Sequence, residues 1–395
     1  MNSARSIKRS KNPGENVNPF SAATFLYTIP TFIKGYKKPL EENDLYATLT
    51  EHQSEILANK VEILWNNELE KANQEKRKPS LTKVFLSAFG FEYMVFGLIL
   101  ATSEIVLKPA QAVFLGRLLL YYMPNVDNDA HTTQFEARLY AVGIALMSFL
   151  YILSLHPLMT HLQLTGLKAK IACCSLIYRK ALKLNNGAFN KTNVGQIVNL
   201  ISTDAPIFIM TAFLLNYIWI GPIQTVVVTY LMYREVGFSS IIGVLLLFAF
   251  IPIHHLLGKA ASKYRLKAAT RTDARVCYMN EIILGIKVIK MFGWEKLIKG
   301  LLFPLRNLEM KYVRQSMLVK VANLSFDVLI IPIVVYVTIT MYVLHNDIRA
   351  DKVFTLIIFY NSLRATMASS FPPAVGIRAV ALVSVKTYRR LPSKY

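Results

Sequence analysis

Charged side chains inside long apolar runs are the residues of this sequence best placed to do chemistry. Glu104 and Lys108 lie four residues apart with the acid first, and Arg364 has no acid three or four residues away. Ionisable groups are costly inside a membrane, so each must pair or contact a ligand. Glu104 and Lys108 have the spacing of an intrahelical ion pair, although Lys108 could instead face a cavity and contact an anion. Arg364 needs either an acidic partner elsewhere in the bundle or an anionic ligand.

Two more residues in these runs are candidates for ligand contact. His156 precedes Pro157, so its ring could hydrogen-bond a ligand or the backbone that the proline leaves unpaired. Phe371 could stack on a hydrophobic ligand or pack between helices. The predicted substrate-cavity residues are therefore Arg364, His156, Lys108 and Phe371.

The remaining acids and histidines suggest no further chemistry. Glu92 and Asp327 lie near the predicted cytoplasmic ends of their apolar runs, where their carboxylates are expected to reach the membrane surface. His254 and His255 are neighbours in sequence and so point to different faces of a helix, which makes them a poor metal pair. We predict no metal site and no catalytic residue.

The overall composition points to a membrane protein. Of 395 residues, 53% are hydrophobic and only 17% are charged, yet the formal net charge is +21. Soluble proteins carry about 25% charged residues. The apolar content excludes a disordered chain, and three cysteines are too few for a disulfide-stapled secreted scaffold. A membrane protein or a basic nucleic-acid binder remains.

Six apolar runs are long enough to cross a bilayer, which takes about 20 helical residues. They cover roughly residues 84–107 with a continuation past Pro109 to Met123, then 139–163, 207–233, 238–257, 323–344 and 353–376. The fold is therefore predicted to be an all-α polytopic membrane protein with six spanning helices. Its predicted parts are an N-terminal segment 1–83, a transmembrane domain 84–376 and a tail 377–395.

The positions of the basic residues predict the topology. All but seven of the 45 lysines and arginines fall in segments 1–83, 164–206, 258–322 and 377–395. Basic residues near helix ends are retained on the cytoplasmic side, and no signal peptide precedes the first run. Both termini are therefore expected in the cytoplasm. The charge marks that face, so we expect no nucleic-acid partner.

The two long cytoplasmic connections, 164–206 and 258–322, are predicted to be helical arms. They have few helix breakers, and Pro304 is the only proline in the second. At about 1.5 Å per residue, such helices would extend tens of ångströms below the membrane. The alternative is a small globular insertion in each connection, which would require strand alternation or turn-rich segments.

Several motifs resemble the multidrug-resistance-associated (subfamily C) ABC exporters, in the short form without an extra N-terminal membrane domain. The matching stretches are Asn18-Pro19-Phe20, residues 32–40 with Asp44-Leu45-Tyr46, and then residues 178–184, 195–204, 272–295, 371–372 and 383–386. The resemblance covers nearly the whole chain and corresponds to the first transmembrane domain of that family. It implies that 1–83 is a lasso-like segment and 377–395 a shortened linker to an absent nucleotide-binding domain.

The resemblance also implies a role for the tips of the arms. In this family each cytoplasmic loop ends in a short transverse coupling helix that docks on a nucleotide-binding domain. By position, the coupling-helix candidates are Asn186, Asn190, Lys191, Met279, Asn280, Glu281 and Gly285. The alternative is a solvated helical turn, although the apolar pair Ile282 and Ile283 favours docking in the second loop.

A phosphate-binding loop is missing from the sequence. Such a loop ends in Gly-Lys-Ser/Thr, whereas the single Gly-Lys pair, Gly258-Lys259, is followed by Ala260. Whether the chain takes part in an enzyme is uncertain, because the family hydrolyses ATP but this chain is expected to bind no cofactor and to hydrolyse none alone. Mg-ATP would bind to nucleotide-binding domains outside it. The expectation is a half-transporter: a splice form, a truncated gene model or a fragment.

The function that the resemblance implies is ATP-driven export of amphipathic organic anions or conjugates. The expected partners are membrane lipid, nucleotide-binding domains, a second transmembrane half and amphipathic anionic small molecules, and the expected location is the plasma membrane. One alternative is a truncated regulatory or binding polypeptide that associates with intact transporters. Another is a channel or non-ATP carrier, which would need a polar path that the spans hardly offer.

Overall fold

The computed structural model describes residues 10–15, 17–123, 133–182, 198, 201–202 and 205–390, apart from the side chains of 379 and 382–390. In this part of the chain the regular structure is helical, with no strand. The chain divides into two compact units. The first comprises residues 1–228 and 365–395, and the second comprises residues 229–364.

In the described part of the N-terminal segment, three α-helices precede the first apolar run. They are α1 (Pro19–Thr24), α2 (Ile29–Lys37) and α3 (Ser54–Gln74). Pro19 begins α1 because its fixed φ suits the first helical position, and α1 ends where Phe25 takes a left-handed φ of 57°. The carboxylate of Asp44 lies 2.7 Å from the Lys34 ammonium and 3.0 Å from that of Lys38. These two pairs tie the end of α2 to the loop that follows it.

The remaining helices contain the apolar runs. They are α4 (Leu81–Thr102), α5 (Lys108–Tyr121), α6 (Gln134–Leu182), α7 (Ile207–Leu214), α8 (Tyr217–Val236), α9 (Ser239–Leu284), α10 (Ile286–Phe292), α11 (Glu295–Val343), α12 (Ala350–Leu363) and α13 (Phe371–Arg390). Among the described residues, five helical runs are long and apolar enough to cross a membrane: Leu81–Tyr121, Gln134–Leu182, Ile207–Val236, Ser239–Leu284 and Glu295–Val343. The predicted all-α polytopic fold is confirmed.

The sixth predicted span, 353–376, is helical but is not among these five runs. It consists of α12, a π-helical segment Arg364–Ser370 and the start of α13. A second π-helical segment, Ser103–Leu107, joins α4 to α5. A proline stands two residues after the end of each segment, Pro109 in one case and Pro372 in the other. Because proline removes a backbone donor and clashes with the preceding turn, it favours this wider helical turn.

The second long connection, 258–322, is built from helices. Helix α9 continues to Leu284, α10 follows, and α11 begins at Glu295. The turns fall at Gly285 and at Gly293, whose φ of 67° is left-handed and suits glycine. The helical-arm interpretation therefore holds here. In the first connection, 164–206, α6 continues to Leu182, and most of the rest lies outside the described residues.

In each unit, close packing between helices leaves no room for a side chain at a described glycine. In the first, a Cβ on Gly166 of α6 would lie 2.6 Å from the carbonyl oxygen of Phe208, so α6 and α7 approach backbone to backbone. In the second, a Cβ on Gly243 of α9 would lie 2.0 Å from the Tyr360 hydroxyl and 2.1 Å from Thr338 Oγ1. Those two hydroxyls are buried and hydrogen-bonded at 2.8 Å.

Candidate functional site

Lys108 forms the predicted ion pair with Glu104. Its ammonium lies 2.6 Å from Glu104 Oε2, and the Tyr151 hydroxyl of α6 donates to Glu104 Oε1 at 3.2 Å. The ammonium also lies 4.9 Å from the centre of the Tyr151 ring. Glu104 is 1% exposed, so its charge is removed from solvent and balanced by Lys108. The charge of Lys108 is therefore neutralised by Glu104 within the first unit.

Arg364 has an acidic partner on another helix. Its Nη1 lies 2.7 Å from Asp327 Oδ2 of α11, inside the second unit. The carboxylate of Asp327, which was expected to reach the membrane surface, turns toward Arg364. The second carboxylate oxygen, Oδ1, is buried and has no hydrogen-bond partner among the described residues.

His156 borders a cavity beneath the N-terminal helix α1. The cavity measures about 480 Å³ and lies between Ala23–Phe25 and the face of α6 that carries His156, Thr160 and Gln163. The His156 backbone carbonyl accepts a bond from Thr160 Oγ1 at 3.0 Å. His156 therefore faces the N-terminal segment, a neighbour that its sequence position gave no reason to expect.

Phe371 packs at the start of α13 against a glycine of α8. A Cβ on Gly221 would lie 3.5 Å from Phe371 Cδ2 and 3.0 Å from Met367 Sδ, so the missing side chain makes room for both residues. This is the packing alternative for Phe371. The three predicted cavity residues of the first unit, Lys108, His156 and Phe371, thus have three different surroundings, and Arg364 belongs to the second unit.

Glu92 is also paired. The Lys168 ammonium of α6 lies 3.1 Å from Glu92 of α4 and 2.9 Å from Glu51, which precedes α3. Glu92, which was expected to reach the membrane surface, thus joins this network. Hydrogen bonding from Lys168 lowers the pKa of the Glu51 carboxyl, and burial lowers the pKa of the adjacent His52. Lys168 thus holds the N-terminal segment against two apolar helices.

The coupling-helix candidates in the second loop lie one segment before the short helix. Met279, Asn280 and Glu281 belong to the end of α9, and Gly285 is the residue that ends it. The separate short helix that follows is α10. The assignment of 279–285 to a coupling helix stays a prediction. Asn186, Asn190 and Lys191 lie outside the described residues.

The tip of the second arm is apolar around α10. A cleft of about 380 Å³ is lined mainly by apolar side chains, Ile282, Ile286, Ile289, Ile298, Leu302 and Phe303. Beside it, Leu284 is 88% exposed and Met291 is 76% exposed. Apolar groups exposed in this way are typical of surfaces that contact another protein, a membrane or a ligand.

A buried carboxylate joins α9 to α11 along this arm. Glu309 is 3% exposed and lies 2.7 Å from both Arg275 and Arg306. It also accepts a hydrogen bond from Thr272 Oγ1 at 2.7 Å. These donors, Arg275 first, lower the pKa of Glu309 to about 2. Glu309 therefore stays charged at neutral pH and fastens the two helices together.

One cavity in the first unit was not predicted. It measures about 300 Å³ and is lined by α4, α6, α7, the adjoining Leu215, and α13. Among its described lining residues, Arg378 alone is charged. The predicted boundary at residue 376 assigned Arg378 to the tail, but α13 continues to Arg390. The continuation of the helix could have been predicted from the spacing of Phe371, Ala374, Arg378 and Ala381, which places these residues along one helix face.

Comparison with known proteins agrees with this architecture. A family model described as the ABC transporter transmembrane region matches residues 94–367. The ATP-binding cassette sub-family C member 4 proteins of Mus musculus and Homo sapiens are 34% and 35% identical over 376 residues, 95% of this chain. The probable multidrug resistance-associated protein lethal(2)03659 of Drosophila melanogaster is 35% identical over 389 residues, 98% of the chain. The chain spans 28% of the length of each of these relatives.

Proposed function

This chain belongs to the ABC transporter transmembrane family, in sub-family C, and on that premise we propose that it forms one half of an ATP-driven exporter of amphipathic organic anions. The observation that carries the proposal is the family match over residues 94–367. The chain is an integral, multi-pass membrane protein. We further propose that both termini lie in the cytoplasm, that the membrane is the plasma membrane, and that a second transmembrane half completes the bundle.

The energy for export would come from nucleotide-binding domains outside this chain. Gly258-Lys259-Ala260 is the only Gly-Lys sequence, and it lies within the continuous helix α9. A phosphate-cradling loop needs backbone N–H groups free of helical bonds, so these residues do not fit Mg-ATP. The contribution of this chain is instead mechanical and concerns its arms.

The second arm is suited to pass motion from such a domain to the membrane helices. Its apolar tip around α10 offers a docking surface, and Glu309 of α11 is tied to α9 by charge-assisted contacts with Arg275 and Thr272. A displacement at the tip would therefore move both helices together. Closure of two nucleotide-binding domains on ATP would move the arms. The substrate cavity, open to the inside before closure, would then open to the outside.

An anionic substrate would be held by cations that keep spare donors. The guanidinium of Arg364 has five N–H donors, and its hydrogen bond to Asp327 is donated by Nη1. An anion could therefore bind to Arg364 without displacing Asp327. Lys108 is less suited to bind an anion, because its ammonium already contacts the Glu104 carboxylate and the ring of Tyr151.

Uptake into inside-out membrane vesicles tests the proposal. Vesicles that contain the chain together with nucleotide-binding domains and a second half should take up a fluorescent glutathione conjugate when ATP is added. Vesicles with the chain alone should not. Arg364→Gln should lower uptake of the anionic conjugate but not of a neutral amphiphile, and uptake of the conjugate by this variant at the native rate would contradict the role of Arg364.

The second candidate function is a binding polypeptide that regulates intact exporters. It is favoured by the lack of a Gly-Lys-Ser/Thr loop in the sequence. Here the chain would co-purify with a complete sub-family C exporter and change its uptake rate, while adding separate nucleotide-binding domains would produce no ATP-dependent uptake.

A further inference from the structure

The cavity between α4, α6, α7 and α13 is apolar along most of its wall. Phe85, Phe89, Phe208 and Leu215 line it, and the rings of Phe85 and Phe208 lie 5.5 Å apart. Lining residues run along α4 from Thr82 to Tyr93, which corresponds to roughly 16 Å of helix. An elongated apolar wall of this kind suits an aliphatic chain, because burying apolar surface is the main gain on binding.

Arg378 and Tyr93 are polar residues that line the same cavity and could contact a ligand. Arg378 of α13 lines it, and no carboxylate of the described residues forms an ion pair with this arginine. The Tyr93 hydroxyl is buried and has no hydrogen-bond partner among the described residues. A buried hydroxyl without a partner is costly, so a ligand atom that accepts its hydrogen bond would be favoured. The guanidinium of Arg378 can bind both oxygens of a carboxylate.

We propose that this cavity binds a single-chain fatty acid, with the aliphatic chain against Phe85, Phe89 and Phe208 and the carboxylate at Arg378. The volume of about 300 Å³ lies at the small end of ligand sites, which span roughly 300–1,000 Å³. A single chain therefore fits better than a lipid with two. Lys108 is held by Glu104, whereas Arg378 is free of such a partner among the described residues. The binding site requires no transport and so goes beyond the proposed function.

Photolabelling of the full chain in detergent micelles tests this site. The probes are a palmitic acid that carries a diazirine on its chain and the corresponding hexadecanol, which lacks the carboxylate. The acid should label peptides of α4 and α7. Arg378→Gln should raise the Kd of the acid about tenfold, as expected for loss of a charge-assisted pair, and should leave the Kd of the alcohol unchanged.

A second variant blocks the cavity without changing its charge. Gly90 is a buried lining residue of α4, and a Cβ there would meet nothing closer than Leu86 at 3.9 Å. Gly90→Leu should therefore fold, since leucine favours a helix over glycine, and should abolish labelling by both probes. Lys83→Gln is the matched charge control, because Lys83 neighbours the lining residue Thr82 without lining the cavity. It should leave both Kd values unchanged.

Specific outcomes would overturn the proposal. One is equal affinity for acid and alcohol in the native chain, and another is labelling that persists in Gly90→Leu. If Arg378→Gln does not fold, Arg378→Lys keeps the positive charge and should retain selectivity for the acid, and loss of that selectivity would count against the carboxylate contact. The labelling uses no ATP, so failed export and failed fatty-acid binding are separate results.

Discussion

Arg364 and Asp327 lie 37 positions apart in sequence, and their side chains meet at 2.7 Å. The arginine begins a π-helical segment and the aspartate belongs to α11. Both side chains are about one quarter exposed, so the pair is only partly shielded. Each residue supplies the counter-charge that the other needs within an apolar region.

Asp327→Asn should destabilise the second unit by roughly 2 kcal/mol, less than the 3–5 kcal/mol measured for fully buried pairs. The reason is that Arg364 would keep its charge without a carboxylate partner. Thermal unfolding of the chain in detergent measures the effect. The double variant Asp327→Asn with Arg364→Gln should recover part of the loss, and a single variant as stable as the native chain would show that the pair does not stabilise the protein.

The sequence predicted the helices better than their contacts. The apolar run and the lack of helix breakers in 258–284 were sufficient to predict helix α9, because both are local properties of the sequence. The Glu104–Lys108 ion pair could also be predicted from the sequence, since its partners are four residues apart on one helix. Arg364 and Asp327 lie on different helical segments, so whether they form an ion pair depends on how those segments pack. Arg378 was missed because the helix continues past the point where the apolar run ends.

Gly243→Ala should destabilise the second unit, by about 1–3 kcal/mol as for other overpacked cores. The new Cβ would lie 2.0 Å from the Tyr360 hydroxyl, so the buried bond between Tyr360 and Thr338 would have to shift. Thermal unfolding again provides the measurement. Gly258→Ala on the same helix is the control, because a Cβ there meets no atom within 4 Å, and it should stabilise the helix by up to about 1 kcal/mol. Equal effects of the two variants would contradict the packing at Gly243.

Glu309→Gln should loosen the second arm between α9 and α11. Arg275 and Arg306 would lose their shared carboxylate, so hydrogen exchange should speed up in the peptides that contain these residues. Asp273→Asn, an exposed acid on the same arm, should leave exchange unchanged. A similar increase in both variants would mean that the arm responds to net charge and not to this contact.

The pKa of Glu309 sets the pH range in which its contacts hold α9 and α11 together. The pKa of Glu309 falls from an ordinary value of 4.5 to about 2 in the folded chain. Its contribution to stability is therefore complete above pH 4.5 and is lost as the pH falls toward 2. Exchange in the arm, corrected for its intrinsic pH dependence, should stay constant from neutral pH down to 4.5 and rise below it. A rise that begins near neutral pH would point to another group.

Lys168→Gln should release the N-terminal segment from α4 and α6. Lys168 is the shared partner of Glu51 and Glu92, and without its charge the two carboxylates would have no common cation. Hydrogen exchange should therefore increase around Glu51 and the first turns of α3, while Lys170→Gln, a lysine two positions away, should leave it unchanged. Because the pKa of Glu51 is lowered in the folded chain from 4.5, the native contact should hold above that pH and weaken as the pH falls further. Unchanged exchange in Lys168→Gln would mean that apolar contacts of α3, such as those of Leu57 and Val61 with Val84, hold the segment by themselves.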